Sequence, residues 1–143
     1  MRERGYFCGM PVLLKQKLHA CAAAVPDARR AVQQALLDAG LDDADLQEAV
    51  ALTVTEATSN VVRHAYPRET SGDLLITVTT KRRWLEIGVD DEGIGFQTPD
   101  VSQPGAGLGL RLMRHYTLQL CVASGDRGTL VTLRFRLPAG AIR

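Results

Sequence analysis

The sequence predicts an α/β two-layer sandwich, a mixed, mainly antiparallel sheet with its helices on one face. Three observations carry this. Apolar residues recur at helical spacing over one long segment, strand-like segments come as neighbouring pairs joined by short turns, and such pairs favour hairpins over parallel crossovers. At 143 residues the chain is long enough for one two-layer core and too short for two.

The elements follow in chain order. Residues 12–18, VLLKQKL, read as a short strand. In PDARRAVQQALLDAGL, Pro26 suits a first helical turn and Gly40 a C-terminal stop. From about Asp43 to Tyr66 the pattern is the longest helix, with Val50, Val54, Ala57 and Val61 on one stripe and Pro67 closing it. Residues 73–80 and 84–90 read as a hairpin around the charged turn KRR. A loop rich in Pro, Gln and Ser leads to GAGLGLRLMRHY, glycines opening a short helix, and LQLCVAS and TLVTLRFRL pair around the turn GDRG. Folded pattern begins near Val12, so residues 1–11 read as a leader that need not be ordered and 12–143 as the domain.

Composition narrows the function. Lys and Arg total 17 against 16 Asp and Glu, which gives no electrostatic footprint for nucleic acid or an acidic membrane surface. Cys8, Cys21 and Cys121 are odd in number and widely spaced, so neither a disulfide framework nor a structural zinc site is expected; they read as small buried hydrophobes in a reducing compartment. The N-terminus lacks the apolar core of a secretory signal, and no stretch approaches the roughly 20 apolar residues of a membrane span. A soluble, cytoplasmic protein is the expectation.

Four stretches carry chemistry. In EATSNVVRHAY, Glu56 and Asn60 are one turn apart and therefore neighbours, set to one side of the apolar stripe. Alone, such a pair reads as a solvated helix flank. DDEGIGF places Asp91, Gly93 and Gly95 directly after an apolar strand. A carboxylate there can accept from an exocyclic amine such as that of adenine, while the glycines admit close backbone approach. In GAGLGL, Gly105, Gly107 and Gly109 precede a helix whose N-terminal N–H groups suit an anion. Its spacing is neither that of a dinucleotide fold nor that of a P-loop. Thr129 begins the last strand, where its hydroxyl can join Asp91 around a base.

In this order and on these elements, the four stretches resemble the Bergerat-fold ATPases, the superfamily of gyrase, heat-shock chaperones, histidine kinases and mismatch-repair proteins. Within it, the form of EATSNVVRHAY, the single short domain and the brief lid resemble the anti-sigma factor serine-protein kinases, over residues 12–137. The resemblance implies an ATP-dependent protein serine/threonine kinase that phosphorylates an anti-sigma factor antagonist and sequesters a sigma factor, as a homodimer. By the same resemblance Asn60 binds Mg²⁺ and Glu56 orients the attacking hydroxyl and takes its proton. Asp91 reads the adenine amine over Gly93 and Gly95, Thr129 completes that contact, and Gly105, Gly107, Leu108, Gly109 and Leu110 wrap the phosphates. Arg63 and His64 follow Asn60 within a turn and stand near phosphate; His64 is equally a packing residue.

The lid FQTPDVSQP has no Lys or Arg, which departs from members that place a cation near the γ-phosphate; Arg111 or Arg63 would have to substitute. Two alternatives stay open: a nucleotide-responsive binding module with little phosphotransfer, and a switch kinase that activates a phosphatase. A sensor histidine kinase needs a phosphoacceptor His on an upstream helical hairpin, and His19 and His115 both read as structural.

Overall fold

A computed structural model describes residues 11–67, 70–95, 108–139 and 141. The elements are β1 (Val12–His19), α1 (Ala24–Asp38), α2 (Ala44–Asn60) continued by a π-helical turn (Val61–Ala65), β2 (Asp73–Lys81), β3 (Trp84–Asp91), α3 (Leu108–Tyr116), β4 (Gln119–Gly125) and β5 (Gly128–Arg136). This is the predicted order. The leader, apart from Pro11, and the lid, with Gly105 and Gly107, lie outside the described residues.

The five strands run β1-β2-β3-β5-β4, and all four pairings are antiparallel. The expected mainly antiparallel sheet is thus antiparallel throughout rather than mixed. The cause is where the last hairpin inserts: β5, not β4, lies beside β3, so the crossover through α3 creates no adjacent parallel pair. Helices cover one face, and the core lies between the layers. Val50, Val54, Ala57 and Val61 are all buried, against Leu74, Ile76, Val78, Leu85, Ile87 and Leu133 from the sheet. Burying each such aliphatic side chain contributes about 1.5–3 kcal/mol.

Local chemistry sets the helix ends. Gly40, at φ 79, ends α1: its N–H donates to the Leu37 carbonyl at 2.9 Å and the Leu41 N–H to that of Leu36 at 2.8 Å. Leu36 and Leu41 are both buried beneath this cap. Asp43 starts α2 by accepting from the Leu46 N–H at 2.9 Å.

The cysteines depart from expectation. Cys21 and Cys121 are exposed, because Cys21 lies in the β1–α1 turn and Cys121 on an edge strand that the helices leave uncovered; Cys8 is outside the described residues. His19 lies 3.5 Å from Asp73 Oδ1, and His115 packs edge-on against Tyr116. Both residues are exposed.

Candidate functional site

Glu56 and Asn60 lie near the end of α2, half-buried, beside the core residues Ala57 and Val61. The first turn of α3 faces them. A Cβ built on Gly109 would stand 2.8 Å from Glu56 Oε2 and 3.9 Å from Asn60 Nδ2. Glycine therefore lets the α3 backbone approach the carboxylate and the amide, which a side chain would push aside. Leu110 packs partly buried against the core, whereas Leu108 is exposed.

Past Asn60 the helix widens into the π turn, which carries Arg63 and His64 to solvent. Neither is packed in the core, so the packing alternative for His64 is not what forms. The Ala65 carbonyl accepts from the Ile94 N–H at 2.8 Å. A Cβ on Gly93 would overlap that same carbonyl, so this glycine is set by close approach. Tyr66 then turns back across the sheet end. Its hydroxyl donates to the Asp73 carbonyl at 2.6 Å and accepts from the Glu92 N–H at 3.1 Å, and its ring occupies the space a Cβ on Gly72 would need. Sequence reasoning missed Tyr66 and Gly72; an aromatic residue before a helix-ending proline, with a glycine opening the next strand, was the available signal.

Asp91 ends β3 and is 4% exposed. Its Oδ1 accepts from the Gly93 N–H at 2.9 Å and from the Thr129 N–H at 3.3 Å. Burial pushes the carboxyl above its ordinary range; these two N–H groups pull it down and the neighbouring Asp90 charge raises it. Among the described residues nothing hydrogen-bonds Oδ2, which leaves an acceptor for an incoming N–H donor. Register aligns Asp91 with Thr129 and Thr129 with Ser124, and the two hydroxyls are 3.0 Å apart. Ser124 also lay outside the sequence reading. Gly95, at φ 88, crosses the end of β4: its Cβ would stand 2.7 Å from the Gly125 carbonyl and 3.1 Å from Ser124 Oγ.

The predicted residues thus gather at two places joined by the Ala65–Ile94 bond: Glu56, Asn60 and Gly109 between helices, and Asp91, Gly93, Gly95 and Thr129 at the sheet end. Among the described residues no three His, Cys, Asp or Glu side chains gather as metal ligands. The oxygen donors on hand are the Asn60 amide and the Glu56 carboxylate, which suit a hard cation that takes most of its ligands from phosphate and water.

An antiparallel sheet backed by helices, a buried carboxylate at a strand end and an acid–amide pair on the facing helix define an α/β fold of ATPase type. The family model for the histidine kinase-like ATPase domain matches residues 18–135, and the chain belongs to that family. It is 31% identical over 112 residues to the sensor histidine kinase PdtaS of Mycobacterium tuberculosis, covering 72% of this chain and 22% of that protein. It is 32% identical over 95 residues to the anti-sigma F factor of Shouchella clausii, covering 59% of this chain and 65% of that protein. Among solved structures, the RsbU and RsbW domains of a Mycobacterium tuberculosis protein superpose with a TM-score of 0.65 at 21% identity, covering 85% of this chain and 32% of that one. The histidine kinase domain of the Erythrobacter litoralis blue-light activated kinase gives 0.58 at 21% identity, over 79% and 61%. At that identity the two structures speak for the fold alone. The chain spans 22% of the length of PdtaS and 65% of that of the anti-sigma F factor.

Proposed function

We propose that this protein is an ATP-dependent protein serine kinase that phosphorylates an antagonist protein and, in the same regulatory circuit, binds a sigma factor as a homodimer. The observation that carries the reading is the approach of Gly109 to Glu56 and Asn60, which puts the base candidate and the metal-ligand candidate against the helix that follows the lid. The similarity to an anti-sigma F factor supports a sigma factor as partner.

In this reading ATP enters with its adenine amine donating to Asp91 Oδ2, beside Thr129 and over Gly93 and Gly95. Gly105, Gly107, Leu108, Gly109 and Leu110 wrap the phosphates, with Arg63 and His64 at their solvent side. Magnesium, held by the Asn60 side-chain oxygen and otherwise by phosphate and water, would neutralise charge developing on the phosphates. Glu56 orients the serine hydroxyl and accepts its proton. The serine oxygen bonds to the γ-phosphorus, the bond to the bridging oxygen breaks and ADP leaves.

Purified protein with Mg-ATP should label a cognate antagonist on serine, giving an acid-stable phosphoprotein. Glu56→Gln should lower that transfer by roughly 10²–10⁴-fold with ATP affinity largely kept, whereas Asn60→Ala should abolish Mg-ATP binding. Equal loss of ATP binding in both variants would reverse the assigned roles. Unchanged partner control in Glu56→Gln would make the protein a nucleotide-responsive binding module. The similarity to PdtaS favours a second reading, the ATP-binding part of a sensor histidine kinase; an acid-labile phosphohistidine product would select it.

A further inference from the structure

The charged turn between β2 and β3 has no part in the nucleotide site. Lys81 pairs with Trp84 across it, so Arg82 and Arg83 are its two central residues. Arg82 adopts φ 53, a left-handed conformation that two-residue hairpins usually give to Gly, Asn or Asp. An arginine is held there against its backbone preference, which points to a use for its side chain. The tip is also anchored: the Leu137 N–H donates to the Arg83 carbonyl at 2.6 Å.

Beside this tip, on the sheet face away from the helices, register aligns Trp84 with Arg136 and Glu86 with Arg134. The Arg134 guanidinium lies 5.9 Å from the Trp84 ring centroid and donates to Glu86 at 3.1 Å and to Gln119 at 3.0 Å. Between Lys81, Arg82, Trp84, Glu86 and Arg134 opens a cleft of about 250 Å³. Lys81, Arg82, Arg83, Arg134 and Arg136 place five cationic residues at this end of the β2, β3 and β5 strands, with Arg134 on Glu86, although the whole chain carries a net charge of only +1. Arg82, Arg83 and Arg136 are exposed, and Trp84 is half-buried at the cleft wall.

We infer that this surface docks an acidic, partly apolar segment of a protein partner, its carboxylates on the arginines of the tip and an apolar side chain against Trp84. Charge complementarity selects the occupant, and the aromatic wall selects peptide over polyphosphate. A nucleic-acid backbone would meet the Glu86 carboxylate inside the cleft, and of the further lysines that β1 adds to this face, Lys17 lies 3.6 Å from Asp73. Trp84 and Asp91 lie at opposite ends of one strand, roughly 23 Å apart at about 3.3 Å per residue. Docking here leaves the nucleotide site open.

Trp84 is the sole tryptophan, so intrinsic emission reads this surface directly. The full chain, titrated with a short synthetic peptide of alternating Glu and Leu, should show a saturable emission change that weakens as salt rises. Reversing both charges, Arg82→Glu with Arg83→Glu, should weaken binding roughly ten-fold, and Arg82→Gly about two- to five-fold while raising the melting temperature. That opposite movement separates recognition from folding. The inference is overturned by the absence of a saturable change, by an equal response to a Lys/Leu peptide, or by unaltered affinity in the double variant. It is overturned too if an RNA oligonucleotide or anionic lipid vesicles bind in preference to the acidic peptide.

Discussion

The two ends of β3 solve opposite problems. At the Asp91 end, on the helix side, a carboxylate is buried and the backbone is pressed close: Gly128 sits at φ 117 where a Cβ would overlap the Asp91 carbonyl, and Gly93 is pressed equally hard against Ala65. At the Trp84 end, on the outer face, the charges remain near water and pair with one another. The first end is specified by what cannot be present, a Cβ; the second by what is, five long cationic side chains. Side chains added at the glycines should therefore unfold the first, while substitutions at the second leave the fold standing.

Gly128→Ala should have the largest effect, since it adds a clash with the Asp91 carbonyl to an unfavourable φ. A loss of about 3 kcal/mol or more is expected in urea unfolding; a loss near zero would mean that this end has room to relax. Asp91→Asn should come next and split two readouts. The amide oxygen can still accept from Gly93 and Thr129, but the anionic acceptor is gone, so ATP affinity should fall by ten-fold or more, about 1.5–3 kcal/mol. Stability should move the other way. Because burial raises the folded carboxyl above its unfolded value, the native state holds the proton longer. Stability is then greatest below the ordinary aspartate range and is lost as pH rises through the raised value. A neutral amide at this position would not carry that loss, so the variant should melt higher at neutral pH and show a flatter acid limb. The native protein should also bind ATP less well as pH falls toward the raised value.

Tyr66→Phe should cost about 1–2 kcal/mol, since the Asp73 carbonyl and the Glu92 N–H both lose their hydroxyl partner. Calorimetry that finds no change would show that water replaces it. Smallest is Arg82→Gly at the other end of the sheet, a gain of about 1 kcal/mol from relieving the left-handed arginine.

What was legible in the sequence was local. The stripe Val50–Val54–Ala57–Val61 needs only helical periodicity, and Gly40 announces its cap because the left-handed residue and its buried leucines lie within six positions. Both hairpins were readable from their turns. Asp91, Gly93 and Thr129 were recognisable as a group, and β-register does bring them together. Long-range choices were not legible. Nothing in LQLCVAS says that it takes the edge and leaves the inner place to β5, and so nothing warned that Cys121 would be exposed. Tyr66, Gly72 and Ser124 matter through partners on other elements, which no local pattern encodes. The approach of Gly109 to Glu56 is of the same kind.

The π turn after Asn60 has a consequence for motion. It presents the Ala65 carbonyl to the Ile94 N–H at 2.8 Å, a bond that, with that of the Tyr66 hydroxyl to the Glu92 N–H, links the segment that carries Asn60 to the segment that carries Asp91. If those halves part, even briefly, the Ile94 amide loses its acceptor and becomes open to exchange with deuterium. Uptake at Ile94 is therefore a clock for how often the Asn60 segment and the Asp91 segment let go of each other.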